Sequence, residues 1–136
     1  MPTQVGVFLI DDSPQMRELT RFVIEEDERL TVVGEAEDVP TSLDLLGGLE
    51  ADVILLDQSL PEMSGLDAIP LFREKAPGAA ILLYTGQLFS GQEQEAIRRG
   101  AQGAIEKGGP IAEMRAAIHS AANWGKRSPG EEESER

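Results

Sequence analysis

Short apolar runs alternate along the chain with stretches where apolar residues recur every three or four positions, the pattern of strands alternating with amphipathic helices. Val5–Ile10 is the first run. Behind it Ser13 stands where a helix cap belongs and Pro14 where the first helical residue belongs, followed by Met16, Leu19, Phe22 and Val23 at helical spacing. Leu30–Ala36 reads as a second strand, and Pro40 opens a helix carrying Leu43, Leu46 and Leu49. Residues 53–56 are continuously apolar and stop at Asp57, as in a strand buried on both faces. A third helix is predicted over 66–75. Residues 79–84, closed by Thr85 and Gly86, form the fourth strand, and a mostly polar helix over Gln92–Arg99 ends at Gly100. Residues 102–106 make a short last strand, and Pro110 starts a final helix with Ile111, Met114, Ile118 and Ala121 on its apolar stripe.

Five strands thus alternate with five helices. Right-handed crossovers with helices on both faces predict an α/β protein built on a doubly wound, five-stranded parallel sheet, for which the flavodoxin-like order 2-1-3-4-5 is the simplest. The periodicity is lost from Gly125 onward, so residues 1–124 read as one domain and 125–136 as an acidic, disordered tail or linker.

Charge narrows the function. The 136 residues hold 25 acidic and 12 basic side chains, a formal net charge of -13. Such an excess repels polyanions, which excludes nucleic-acid binding by this segment and disfavours anionic membranes. No cysteine is present, so disulfides, thiolate zinc sites and cysteine nucleophiles are excluded, and the single His119 rules out a histidine-rich metal site. A metal would have to be held through oxygen. Neither a leader pattern nor an apolar window long enough to span a membrane occurs, and the expected location is the cytoplasm.

In a doubly wound sheet, ligands bind outside the carboxyl ends of the strands. The residues that end the runs here are Asp11 and Asp12, Asp57, Thr85 and Lys107. Taken singly, each has an ordinary reading as a turn, a cap or a solvated charge. Together they bring three carboxylates to one edge, where they repel one another unless a cation intervenes. Mg²⁺ accepts such oxygen ligands and keeps positions open for a phosphoryl oxygen, and Mn²⁺ would substitute. Three carboxylates, a divalent cation and Lys107 sum to zero charge. A phosphorylated aspartate would add negative charge, for which Lys107 and the Thr85 hydroxyl are placed as donors.

The segments IDD ending at Asp12, LLDQSLPEMSGLD ending at Asp67, YTG ending at Gly86 and GAIEK ending at Lys107 resemble the receiver domain of bacterial two-component response regulators. The resemblance covers about residues 4–124. It implies a response regulator receiver in which Asp57 accepts a phosphoryl group from a sensor histidine kinase or phosphotransfer protein. It also implies that Asp12, Asp57 and the main-chain carbonyl of Ser59 bind Mg²⁺, with Asp11 acting through a water. Lys107 would pair with a phosphoryl oxygen, and Thr85 would swing onto the phosphoryl group and remodel the surface of the fourth helix, fifth strand and fifth helix. Ser59 and Gln87 would set the phosphoryl lifetime. Apart from its own phosphorylation and dephosphorylation, no enzymatic activity is implied. Implied partners are an output protein or fused output domain, and a second copy of the chain after phosphorylation. VVGEAED, ending at Asp38, is similar to receivers that precede helix-turn-helix domains.

Two positions depart from the family pattern. Ala104 stands three residues before Lys107, where receivers carry an aromatic residue whose rotation reports the threonine movement; Tyr84 and Phe89 are the nearby aromatics, and Tyr84 reads as strand packing. Gly108 and Gly109 separate Lys107 from Pro110, so the bond after Lys107 is predicted to be trans and the loop mobile. Ala104 motivates an alternative, an interaction module that works without phosphorylation. A metal-dependent phosphatase or nucleotide enzyme is the third reading, and the lack of a Gly-rich phosphate loop counts against it.

Overall fold

A computed structural model describes residues 4–125. Strands Val5–Ile10 (β1), Leu30–Ala36 (β2), Val53–Asp57 (β3), Ala80–Thr85 (β4) and Gly103–Glu106 (β5) alternate with helices Pro14–Glu25 (α1), Val39–Leu46 (α2), Gly65–Lys75 (α3), Gln92–Arg99 (α4) and Ile111–Gly125 (α5). All strand pairs are parallel, in the order β2-β1-β3-β4-β5. This is the predicted fold.

Alternation of side chains along the strands divides the interior into two cores. Phe8, Ile10, Ile54, Leu56, Ile81 and Leu83 meet Leu46, Ile69, Phe72 and Ala96 from α2, α3 and α4. Val7, Leu9, Val53, Leu55, Leu82 and Tyr84 meet Ile24, Met114, Ile118 and Ala122 from α1 and α5. Burying one Leu, Ile or Phe side chain contributes about 1.5–3 kcal/mol, so β1, β3 and β4, covered on both sides, anchor the sheet. Their register brings Asp57 opposite Tyr84, and Thr85 opposite Glu106, so the strand ends gather along one edge.

At the other end of β4 and β5, Arg73 ties three elements together. Its guanidinium donates to the carbonyls of Ala79 at 2.7 Å, Pro77 at 3.2 Å and Gly100 at 3.0 Å, and to the Gln102 side chain at 2.9 Å. The indole of Trp124 lies 4.6 Å from it in a cation–π stack.

Local signals explain the helix ends. The Ser13 hydroxyl accepts from the Met16 amide at 3.2 Å, Ser64 caps α3 through the Asp67 amide, and Gly100 ends α4 at φ 119°, a conformation that favours glycine. Several expectations shift. The cap of α2 is Asp38, one residue ahead of Val39, and the helix stops at Leu46 where Gly47 and Gly48 follow, so Leu49 packs on the core from outside it. On α1, Thr20 and Ile24 are buried while Leu19 and Phe22 are 56% and 62% exposed. Ile111 is likewise exposed, and Gly125, read as tail, closes α5. The remaining tail expectation lies outside the described residues. Every described peptide bond is trans, as predicted after Lys107, and Gly108 adopts φ 82°.

Candidate functional site

Asp11 follows β1 directly, and its amide donates to the Ala36 carbonyl of β2, which extends the ladder one residue past the strand. Its carboxylate is 1% exposed and accepts the Ser13 amide at 2.9 Å, so the turn that caps α1 also fixes this acid. Asp12, one residue on, is exposed. Asp57 closes β3 at 2% exposure, and its Oδ1 accepts the Ser59 amide at 3.1 Å. Carboxylate oxygens of Asp11, Asp12 and Asp57 lie within 4.8 Å of one another.

Lys107 enters from the end of β5, where its amide donates to the Thr85 carbonyl at 2.7 Å. Its ammonium lies 3.0 Å from Asp11 Oδ2 and 3.0 Å from Asp57 Oδ1, and 5.3 Å from the Tyr84 ring centroid. Burial pushes the Asp57 carboxyl above its ordinary pKa, although Lys107 and the Ser59 amide pull the other way. Burial pulls Lys107 down, but its bonds to Asp11 and Asp57 prevail and hold it above the ordinary lysine value. One cation therefore serves two covered carboxylates.

The site thus brings Asp11, Asp12, Asp57 and Lys107 together as the sequence predicts. Thr85 is buried beside them, but its hydroxyl is turned to the Gln87 carbonyl at 3.1 Å. The side chains of Ser59 and Gln87 are exposed at the rim. Tyr84 is buried in the α1 and α5 core, which agrees with strand packing, and Phe89 is 60% exposed.

Three supporting residues were not legible beforehand. Arg17 donates to the Asp11 carbonyl at 2.7 Å and pairs with Glu35 at 3.0 Å, which pins the turn that carries both acids. Gln58 holds the loop after Asp57: its carbonyl accepts the Gly65 amide and its side chain accepts the Leu66 amide, both at 2.9 Å. Glu106 accepts the Leu88 amide at 2.8 Å. Adjacency to Asp57 was the available signal for Gln58; Arg17 and Glu106 depend on backbone partners that spacing does not reveal.

The donor set is all oxygen, partly covered and anionic, with a nearby ammonium that neutralises only one of three charges. It suits a hard divalent cation.

This fold and edge define a doubly wound α/β module with an acidic, oxygen-donor site at the carboxyl ends of its strands, and the chain belongs to the response regulator receiver domain family, whose pattern matches residues 7–119. It is 33% identical to the nitrate/nitrite response regulator protein NarL of Escherichia coli (strain K12) over 116 residues, 85% of this chain and 54% of that protein. It is 35% identical to the nitrate/nitrite response regulator protein NarP of the same strain over 124 residues, 91% of this chain and 58% of that protein. A crystal structure of a LuxR-family two-component response regulator from Aurantimonas sp. SI85-9A1 is 30% identical, with a TM-score of 0.83 over 89% of this chain and 86% of that one. The chain spans a little over half the length of these curated relatives.

Proposed function

We propose that Asp57 is the phosphoacceptor of this receiver, and that the carrying observation is the Lys107 ammonium held 3.0 Å from both Asp57 and Asp11 in a buried edge. Asp57 Oδ1 is engaged by Lys107 and the Ser59 amide, and Oδ2 is the attacking oxygen. Oδ2 forms a bond to the phosphorus of a phosphohistidine as the phosphorus–nitrogen bond breaks and the imidazole nitrogen keeps the electron pair. No general base is needed, because the nucleophile is already an anion. Lys107 can follow the new charge with little movement, and the Thr85 hydroxyl leaves the Gln87 carbonyl to donate to a phosphoryl oxygen. Asp12, Asp57 and the Ser59 carbonyl would hold Mg²⁺, with Asp11 acting through a water; when bound, the ion neutralises the phosphoryl oxygens. Ser59 and Gln87 at the rim flank the approach of hydrolytic water.

The donor is a sensor histidine kinase or phosphotransfer protein, and the receiver unit ends with α5, at Gly125 rather than at residue 124. Its output is a linked domain or a separate partner, for which the greater length of the curated relatives supports a linked one. The site of action is the cytoplasm; among the described residues, no helix is long and apolar enough to cross a membrane. The close approach of Lys107 to Asp57 supports this reading over the phosphorylation-independent alternative.

Incubation with acetyl phosphate and Mg²⁺, followed by intact-mass spectrometry, tests the assignment. Wild type gains one phosphoryl group, and Asp57→Asn gains none. An adduct that survives Asp57→Asn, or none on wild type, overturns it.

A further inference from the structure

Ala104 contributes only a methyl group to the α4–β5–α5 face, and cavities of about 380 Å³ and 330 Å³ lie against it. No side chain at that position can relay the Thr85 movement by rotating. The hydrogen bonds at the end of β5 offer another route. Thr85 and Glu106 are register partners, so the Glu106 side chain leaves the sheet beside the loop that follows Thr85. Its carboxylate accepts the Leu88 amide at 2.8 Å, one residue after the Gln87 carbonyl that takes the Thr85 hydroxyl at 3.1 Å. The Phe89 amide, next along, donates to Gln92 Oε1 at 3.2 Å, at the first residue of α4. Farther down the same edge, Glu93 of α4 accepts the Ala104 amide at 3.1 Å. Glu106 and Lys107 are consecutive, so the end of β5 sends an anion to the loop and a cation to Asp57.

We propose that Glu106 is a positioning residue that latches the β4–α4 loop in the unphosphorylated state, and that the latch opens when Thr85 gives up the Gln87 carbonyl. This inference rests on the Asp57 reading and adds the link from that site to α4. While both bonds hold, residues 87 and 88 are fixed from two sides. Loss of the Thr85 bond leaves Glu106 as the remaining side-chain hold, and the Gln87 carbonyl must turn to find a new donor. Rotation of that peptide carries the Leu88 amide away from Glu106 and loosens the start of α4.

The test is residue-resolved amide hydrogen exchange by NMR on the whole chain, combined with the rate of phosphorylation by acetyl phosphate and Mg²⁺. In the unphosphorylated state, Glu106→Ala exchanges the Leu88 amide about tenfold faster than wild type, the factor expected for one lost hydrogen bond. Glu106→Gln, which keeps an acceptor, stays close to wild type, and that rescue separates the latch from a general loosening of β5. Phosphorylation accelerates Leu88 exchange in wild type but hardly in Glu106→Ala, which also accepts the phosphoryl group faster. Equal Leu88 exchange in wild type and Glu106→Ala overturns the latch. A wild type that gains the phosphoryl group with Leu88 still protected overturns the latch alone; a wild type that gains none overturns the Asp57 reading, and the coupling with it.

Discussion

Lys107 faces two carboxylates with one charge, and this shortage of positive charge makes the edge receptive to a cation. A second polar cluster, far from the site, shows the opposite balance. Asp27 accepts from Arg29 at 3.1 Å and lies 3.0 Å from His119 Nε2 on α5. The Arg29 side chain, then His119 and the Arg29 amide, hold the Asp27 carboxyl well below its ordinary range. A folded pKa below the unfolded one means that Asp27 stabilises the fold fully above the unfolded value and loses that contribution as pH falls toward the folded one. Asp27→Asn therefore lowers the urea midpoint at neutral pH, and the gap to wild type closes progressively in acid below about pH 4. A gap that is constant across that range would contradict this account. Among single residues, Asp11, Asp57 and Lys107 were legible because each ends an apolar run. The orientation of Thr85 was not, since the partner of a hydroxyl is set by the turn of the Gln87 carbonyl.

At the scale of elements, the passage from β3 into α3 is closely packed at Gly65. A Cβ on Gly65 would run into the Asp57 carbonyl and sit 2.9 Å from Leu83 Cδ1. Gly65→Ala must push α3 away from the acceptor strand, and we expect a loss of about 1–3 kcal/mol in urea denaturation, the usual cost of overpacking. Slower phosphorylation should accompany it, because the displaced carbonyl belongs to the proposed acceptor, Asp57; unchanged stability would mean that the helix moves freely. Strands and their order were readable because continuous apolar runs admit one placement between two helical layers. Helix faces were less so. Leu19 and Phe22 extend the apolar pattern of α1 outward, and periodicity alone does not tell which of two overlapping stripes meets the sheet; Thr20 and Ile24 do. The end of α2 was missed because Leu49 continues the spacing past the two glycines that stop the helix.

For the molecule as a whole, the excess of acid lies mostly in residues 1–124: residues 125–136 hold four Glu against three basic side chains, a net of -1 out of -13. Phosphorylation at the proposed acceptor would add charge to a body that is already anionic, so the proposed switch works through local bonds such as those of Thr85 and Glu106 rather than through bulk repulsion. Two ends of the sheet then have separate tasks. The carboxyl edge carries the residues proposed to rearrange, and the Arg73 cluster closes the amino ends of β4 and β5 on backbone carbonyls. Trp124 joins the Arg73 cluster to the α4–β5–α5 face, because its indole stacks on Arg73 and also lines the cavity beside Ala104 and Glu93. As the only tryptophan in the chain, it is a native optical probe of the α4–β5–α5 face. Its emission should change when acetyl phosphate and Mg²⁺ are added and stay constant in Asp57→Asn, so that switching can be followed in real time without a dye.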